Sequence, residues 1–360
     1  MPTRGFRKVI FRSTESDATQ FRRSLVSFVS YATMTSIMIT DKQTAQPDVT
    51  DRLAISRREL LRLAVGAGIF ISAGGAAMGA ATSSKPILTK PISRTGESLP
   101  VIGLGTWQTF DVGSAQSERA PLREVLREFV RLGGTVIDSS PMYGRSENVV
   151  GDLATELKLD GKLFVATKVW TSGRQGGIRQ MEESIRRLRA KPIDLMQIHN
   201  LVDWRTHLTT LRQWKTEGRI RYIGVTHYTA SAYDQLARVL ESEELDFVQL
   251  NYSIAEREAE QRLLPLAGDR GVAVLVNRPF AQAQLFSKVR GKPLPAFAEE
   301  IGCASWAQFF LKFVVSHPAV TCAIPATSKV QHLVDNMQAG MGQLPAEKIR
   351  QRMATYVAEL

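Results

Sequence analysis

The chain has 360 residues, 44% of them apolar and 22% charged, a balance that excludes a disordered or fibrous protein and allows a sizeable core. A formal net charge of +11 favours anions such as a phosphate, but no basic stripe with interleaved aromatics accompanies it, so no nucleic-acid partner is expected. Only two cysteines occur, Cys303 and Cys322. Their spacing makes no zinc site, and core packing is the expected role, with a disulfide as the alternative.

The first predicted element is an address. Residues 56–62 read SRRELLR, and an uncharged run, LAVGAGIFISAGGAAMGAA, follows. Charge followed by a weakly apolar, Gly/Ala-rich run is the order of a secretory signal. Arg57 and Arg58, with Ser56 before them and Leu60 and Leu61 after, resemble a twin-arginine export signal. That resemblance implies the export machinery as a partner, cleavage between about Gly79 and Thr82, and a periplasmic protein with no stable membrane span. An uncleaved anchoring helix and an inefficient signal on a cytoplasmic protein are the alternatives. Residues 1–55 form a poorly defined extension, and Met34 and Met38 are alternative starts. VGAGIF lacks a third glycine and a strand-then-helix context, so it is no dinucleotide fingerprint.

From residue 82 the chain reads as one body. A hairpin is expected after Pro86, turning at Thr95, Gly96 and Glu97. Eight strand candidates follow: VIGLGT (101–106), TVIDSS (135–140), LFVATKVW (163–170), IDLMQIHN (193–200), IRYIGVTH (220–227), DFVQLNYS (246–253), VAVLVNRP (272–279) and VTCAIPAT (320–327). They are near-continuous apolar runs, as strands buried on both faces require. Amphipathic patterns separate them. PLREVLREFVRLG places Leu122, Val125, Leu126, Phe129 and Val130 on one face. SIRRLRA ends before Pro192, and residues 345–360 read as a last helix. Eight such units predict an α/β fold, a (β/α)8 TIM barrel with an N-terminal hairpin and a C-terminal helix over 82–360. An open doubly wound sheet would want a glycine-rich phosphate loop after its first strand, which GLGTWQ does not supply.

Four polar residues end these strands or follow them closely: Asp138, Tyr143, Lys168 and His199. Strand C-termini converge on one face of a barrel, where chemistry is done. Reducing a carbonyl needs hydride at carbon and a proton at oxygen. A tyrosine with a reference pKa of about 10 is a poor acid at neutral pH. A neighbouring ammonium, Lys168, lowers that value, and Asp138 keeps the lysine charged. Tyr143 then serves as general acid, and His199 orients the carbonyl oxygen. Singly, each residue also has a plain reading as a cap, a loop aromatic, a solvated strand end or a buried histidine. Five histidines without HxH spacing or clustered carboxylates predict no metal site.

These motifs in order resemble the aldo/keto reductase family over about residues 88–345. They are GLGTW, Asp138-Ser-Ser-Pro-Met-Tyr143-Gly-Arg-Ser-Glu147, Lys168, Gln197-Ile-His199 and IPATSKVQHLVDN. The resemblance implies NADPH-dependent reduction of an aldehyde or ketone, with NADH the lesser choice. It places Gly105, Thr106, Trp107 and Asp138 at the nicotinamide end, and Gln249 on the carboxamide. Thr226 and His227 stand where the family has Ser-Asn, and Asn277 and Arg278 where it has tyrosine or serine. Arg278 is an alternative phosphate contact. Thr327, Ser328 and Lys329 would hold the adenosine-side phosphate at a helix start, although helix capping also suits the first two. Asp335 and Asn336 would face adenine. Ala326 replaces a lysine of some relatives, with Lys329 and His332 as offsets. Trp107, Met142, Trp170, Trp204 and Phe280 would ring a mouth suited to apolar or aromatic carbonyls. A cofactor-bound sensor or interaction subunit with little turnover is the alternative function.

Overall fold

The computed structural model describes residues 86–360. The extension at 1–55 and the expected signal at 56–81 lie outside the described residues.

Strands β1 (Thr89–Pro91) and β2 (Ser98–Pro100) form the expected antiparallel hairpin, with Lys90 opposite Leu99. Gly96 takes φ +75° in its turn, a conformation that glycine adopts without a Cβ penalty. Ile92 and Leu99 are buried and join the cluster inside the sheet, so the hairpin plugs that end of it.

Eight parallel strands follow in sequential order. They are β3 (Leu104–Gly105), β4 (Val136–Asp138), β5 (Phe164–Val169), β6 (Ile193–His199), β7 (Ile220–Thr226), β8 (Phe247–Asn251), β9 (Ala273–Asn277) and β10 (Val320–Ala323). The ring closes through bridges from Ile102 to Ala323 and from Gly105 to Ala326. Gly103 N donates to Ala323 O at 2.8 Å and Ala323 N to Val101 O at 2.9 Å. Closure explains Gly105: a Cβ there would lie 2.7 Å from Ile324 O. The fold is the expected (β/α)8 barrel. β3 and β10 are shorter than the apolar runs that contain them, and in the second run Pro325 has no N–H for a ladder bond.

Alternate residues of each strand face inward. Val136, Ala166, Leu195, Phe247 and Leu275 belong to one inner apolar cluster. Two positions further along these strands stand Asp138, Lys168, Gln197, Gln249 and Asn277. The inward face thus turns from apolar to polar toward the strand C-termini. The outward residues, such as Ile137, Val165, Ile198, Val225 and Val248, pack in the larger cluster with the helices.

The main helices are α1 (Gln116–Arg131), α2 (Ser146–Glu156), α3 (Arg174–Leu188), α4 (Trp204–Thr216), α5 (Tyr233–Ser242), α6 (Leu263–Asp269), α7 (Gln284–Lys288), α8 (Trp306–Val315), α9 (Val330–Gln338) and α10 (Glu347–Glu359). α1 buries Leu122, Val125, Leu126 and Phe129, the face read from its periodicity. It starts before Pro121, whose missing N–H costs one helical bond without ending the helix. α10 is held by the buried Arg350, which donates to Tyr252 Oη at 2.8 Å and to Glu260 Oε1 at 3.1 Å.

Candidate active site

The polar end of the inner face is built around one ion pair. Lys168 Nζ donates to Asp138 Oδ2 at 2.6 Å and to Ser139 O at 2.7 Å. Both charged side chains are closed to solvent, at 0% and 3% exposure. Asp138 Oδ1 accepts from Gln197 Nε2 at 3.1 Å and from Gln249 Nε2 at 2.9 Å. A buried carboxylate needs such partners for its lone pairs. Thr106 ties β3 to β4, donating to Asp138 O at 3.0 Å.

An ammonium has three N–H groups, and Asp138 and Ser139 take two. The third faces Tyr143: Lys168 Nζ stands 4.8 Å from the centre of that ring. Burial works against charge on Lys168, but the Asp138 carboxylate and Tyr143 outweigh it, and its pKa lies above the ordinary lysine value. Tyr143 differs from expectation. Removal from water raises its phenol more than Lys168 lowers it, and Asp138 adds to the rise, so the net shift is upward. Lys168 therefore limits the rise and does not make Tyr143 a stronger acid than free tyrosine.

His199 packs edge-on to Tyr143, with ring centroids 5.9 Å apart. Burial, then the Lys168 ammonium and His227, hold its pKa down at about 2, so the imidazole is neutral. Its Nδ1 lies 3.2 Å from Ser140 Oγ, which leaves Nε2 for a ligand. A neutral ring with one free nitrogen suits a hydrogen bond to a carbonyl oxygen.

Above these residues opens a cavity of about 980 Å³. Asp138, Tyr143 and His199 line it. So do Gly105, Thr106, Trp107, Thr226, Gln249, Asn277, Arg278, Thr327, Asp335 and Asn336, all expected around a cofactor. Met142, Trp170 and Phe280 of the expected substrate mouth line it too. Five large apolar side chains are conspicuously exposed among the described residues: Trp107, Met142, Trp170, Tyr228 and Phe286. All five line this cavity.

Five expected residues do not line it. Lys168 lies beneath the floor, fully buried. Trp204 heads α4 with Arg205 over its ring at 4.3 Å. His227 is stacked on Tyr228, centroids 5.4 Å apart, and its Nδ1 accepts from Thr229 N at 3.3 Å. Ser328 and Lys329 are also absent from the lining, whereas Thr327 is present and its Oγ1 accepts from Lys329 N at 3.1 Å. Several expected ligands are already engaged, Gln249 and Asp335 among them. Gln249 Nε2 holds Asp138, and the Asp335 carboxylate accepts from Ser305 Oγ and Gln308 Nε2, each at 2.7 Å.

Several lining residues escaped the sequence reading: Asn200, Tyr228, Gln282, Phe286 and Trp306. Ser305 before the apolar run WAQFFLKF is a legible helix start, and its Oγ accepts from Gln308 N at 3.1 Å. Gln282 has no comparable signal. It stands between Ala281 and Ala283, all three at positive φ without a glycine. Asn200 Oδ1 and Asn277 Oδ1 are buried in the wall without partners. Unpaired amide oxygens there fit a ligand that offers N–H groups, such as a carboxamide.

Residues 101–354 match the sequence model of the Aldo/keto reductase family. The chain is 32% identical over 258 residues to methylglyoxal reductase YeaE of Escherichia coli, covering 69% of this chain and 88% of that protein. It is 31% identical over 241 residues to the NADH-specific methylglyoxal reductase of Escherichia coli, covering 58% and 72%. Among solved structures it resembles an aldo/keto reductase from Klebsiella pneumoniae in complex with NADP and acetate, with TM-score 0.61 and 26% identity over 73% of this chain and 93% of that one. The chain belongs to the aldo/keto reductase family and is an NAD(P)H-dependent oxidoreductase.

Proposed function

We propose that the protein reduces an aldehyde or ketone to an alcohol with NADPH, and that Tyr143 is the general acid. The observation that carries this reading is the Lys168 ammonium held between Asp138 and Tyr143 beside a neutral His199. NADPH, when bound, supplies the hydride. The protein's own groups handle the rest. His199 Nε2 and the Tyr143 hydroxyl converge on a carbonyl oxygen. Tyr143 passes its proton to that oxygen as charge develops there, and Lys168 stabilises the phenolate left behind. Asp138, with Gln197 and Gln249 behind it, keeps Lys168 charged and fixed.

Thr226, Asn277 and Asn200 would hold the amide end of the cofactor, and Trp107 would flank it. Thr327, Asn336 and the start of α9 would hold the adenosine end. Ser328 and Lys329 are the nearest candidates for a 2′-phosphate, since Lys329 stands one residue before α9 and its long stem can reach toward an anion. The exposed rim of Trp107, Met142 and Trp170 supports an apolar or aromatic carbonyl. The Arg57–Arg58 segment supports export to the periplasm by the twin-arginine route.

Fluorescence titration of the full chain with NADPH and NADH, followed by turnover on an aldehyde panel, tests the reading. Tight NADPH binding with turnover supports it. Binding without turnover on any aldehyde favours a sensor or interaction subunit, and no binding removes both.

A further inference from the structure

Trp170 is 42% exposed at the cavity rim, yet the backbone from Trp170 to Gly173 is held by three side chains. Gln180 of α3 grips both polar groups of the residue: Trp170 N donates to Gln180 Oε1 at 2.5 Å, and Gln180 Nε2 donates to Trp170 O at 3.2 Å. His207 of α4 is fully buried, and its Nε2 lies 2.6 Å from Thr171 O. Facing a carbonyl, that nitrogen must carry the proton. Asp203 heads α4 without capping it, and its carboxylate accepts from Gly173 N at 2.7 Å instead.

His207 is present at a cost. Its Nδ1 is buried with no hydrogen-bond partner. Room for the ring exists because residue 177 is glycine, where a Cβ would lie 2.5 Å from His207 Cε1. A buried unpaired nitrogen costs about 1–3 kcal/mol. A leucine would fill the space without that cost, but could not hold the Thr171 carbonyl. The clamp fixes the direction in which the Trp170 indole leaves the backbone. That indole stands 6.3 Å from the His199 ring, between centroids.

We propose that Gln180 and His207 are positioning residues that hold Trp170 as a flat platform beside His199, and so select carbonyl substrates bearing an aromatic group over small aliphatic ones. The inference rests on the reductase reading above. It goes beyond it by assigning substrate preference to two residues that touch neither carbonyl nor cofactor. An aromatic platform discriminates only if it is held still, because a loosely hinged indole loses in ordering entropy what it gains in stacking.

The test is the ratio of kcat/KM for benzaldehyde to that for propanal, measured on the full chain and on Gln180→Ala, His207→Leu and His207→Gln. Glutamine can still donate to the Thr171 carbonyl, and leucine cannot. The ratio should fall roughly threefold to tenfold in Gln180→Ala and His207→Leu, the worth of one aromatic contact, through KM for benzaldehyde. His207→Gln should keep the ratio within about twofold, and NADPH affinity by fluorescence should stay unchanged in all three. Thermal melts separate unfolding from misplacement, and His207→Gln with Gln180→Ala still decides the matter if His207→Leu does not fold. A ratio unchanged in Gln180→Ala, or equal losses on both aldehydes, overturns the proposal. Absence of turnover by the unaltered chain on either aldehyde overturns the reductase reading itself, and this proposal with it.

Discussion

Lys168 Nζ and Asp138 Oδ2 lie 2.6 Å apart at the base of the cavity, with neither side chain open to water. Two charges taken out of solvent are tolerated because each has further polar partners, Ser139 O for the lysine and two amides for the carboxylate, and because Lys168 Nζ also stands over the Tyr143 ring. Breaking such a pair by removing one member leaves an uncompensated buried charge, which costs about 3–5 kcal/mol. Lys168→Met should therefore lower unfolding stability by about that much, and adding Asp138→Asn should restore most of the loss. Urea melts of the single and double variants check this. Additive losses would mean the two residues are not energetically a pair.

Tyr143→Phe removes the proposed proton donor and leaves the ring. Turnover should drop by about 10² to 10⁴, the usual worth of a positioned acid, while NADPH affinity changes less than about twofold. Steady-state rates and fluorescence titration read the two quantities separately. Retained turnover would remove Tyr143 from the proton step.

The pH profile follows from two shifts. As the proposed acid, Tyr143 would have to be protonated, and its pKa is raised above the ordinary value of about 10. Reduction should therefore show no alkaline loss from this group until above about pH 10. His199 is neutral down to about pH 2, so no acid limb near pH 6.5 should come from it. The same shift bears on stability. Between about pH 2 and 6.5 the unfolded chain protonates this histidine and the folded chain does not, so stability falls as pH drops through that window. His199→Asn should flatten that fall. An acid limb near 6.5 in kcat/KM that disappears in His199→Asn would show a charged imidazole instead.

Lys329→Ala should raise KM for NADPH about tenfold, the worth of one charge-assisted contact, and leave KM for NADH nearly unchanged. Equal changes would remove Lys329 from the 2′-phosphate. His332 lines the cavity and becomes the next residue to replace in that case.

Arg57→Lys with Arg58→Lys should shift the protein from the periplasmic to the cytoplasmic fraction. Unaltered fractionation would sink the export signal.

The eight strands and the four chemical residues were legible because both are written locally. A strand buried on both faces must be apolar along its length, and a charged or polar residue at or next to the end of such a run stands out, as Lys168 does in FVATKV and His199 in IDLMQIH. The start of α1 was not legible, because Pro121 reads as a first-turn residue although the helix begins at Gln116. The cavity wall was legible only in fragments. Asn277 and Thr327 occupy ends of runs, but Tyr228, Phe286 and Trp306 come from loops and helix starts that meet only when the ring closes.

By itself, then, the sequence determined the succession of strands and the polar residues at their ends, since period and composition act within a dozen residues. The direction of the Tyr143 shift was decided only in three dimensions. It is the difference between burial, which raises the phenol, and one ammonium, which lowers it, and no spacing along the chain contains the depth at which the ring is buried. The clamp on Trp170 is likewise tertiary. Gln180, Asp203 and His207 lie on two different helices and reach one loop only because β5 and β6 are neighbours in the barrel.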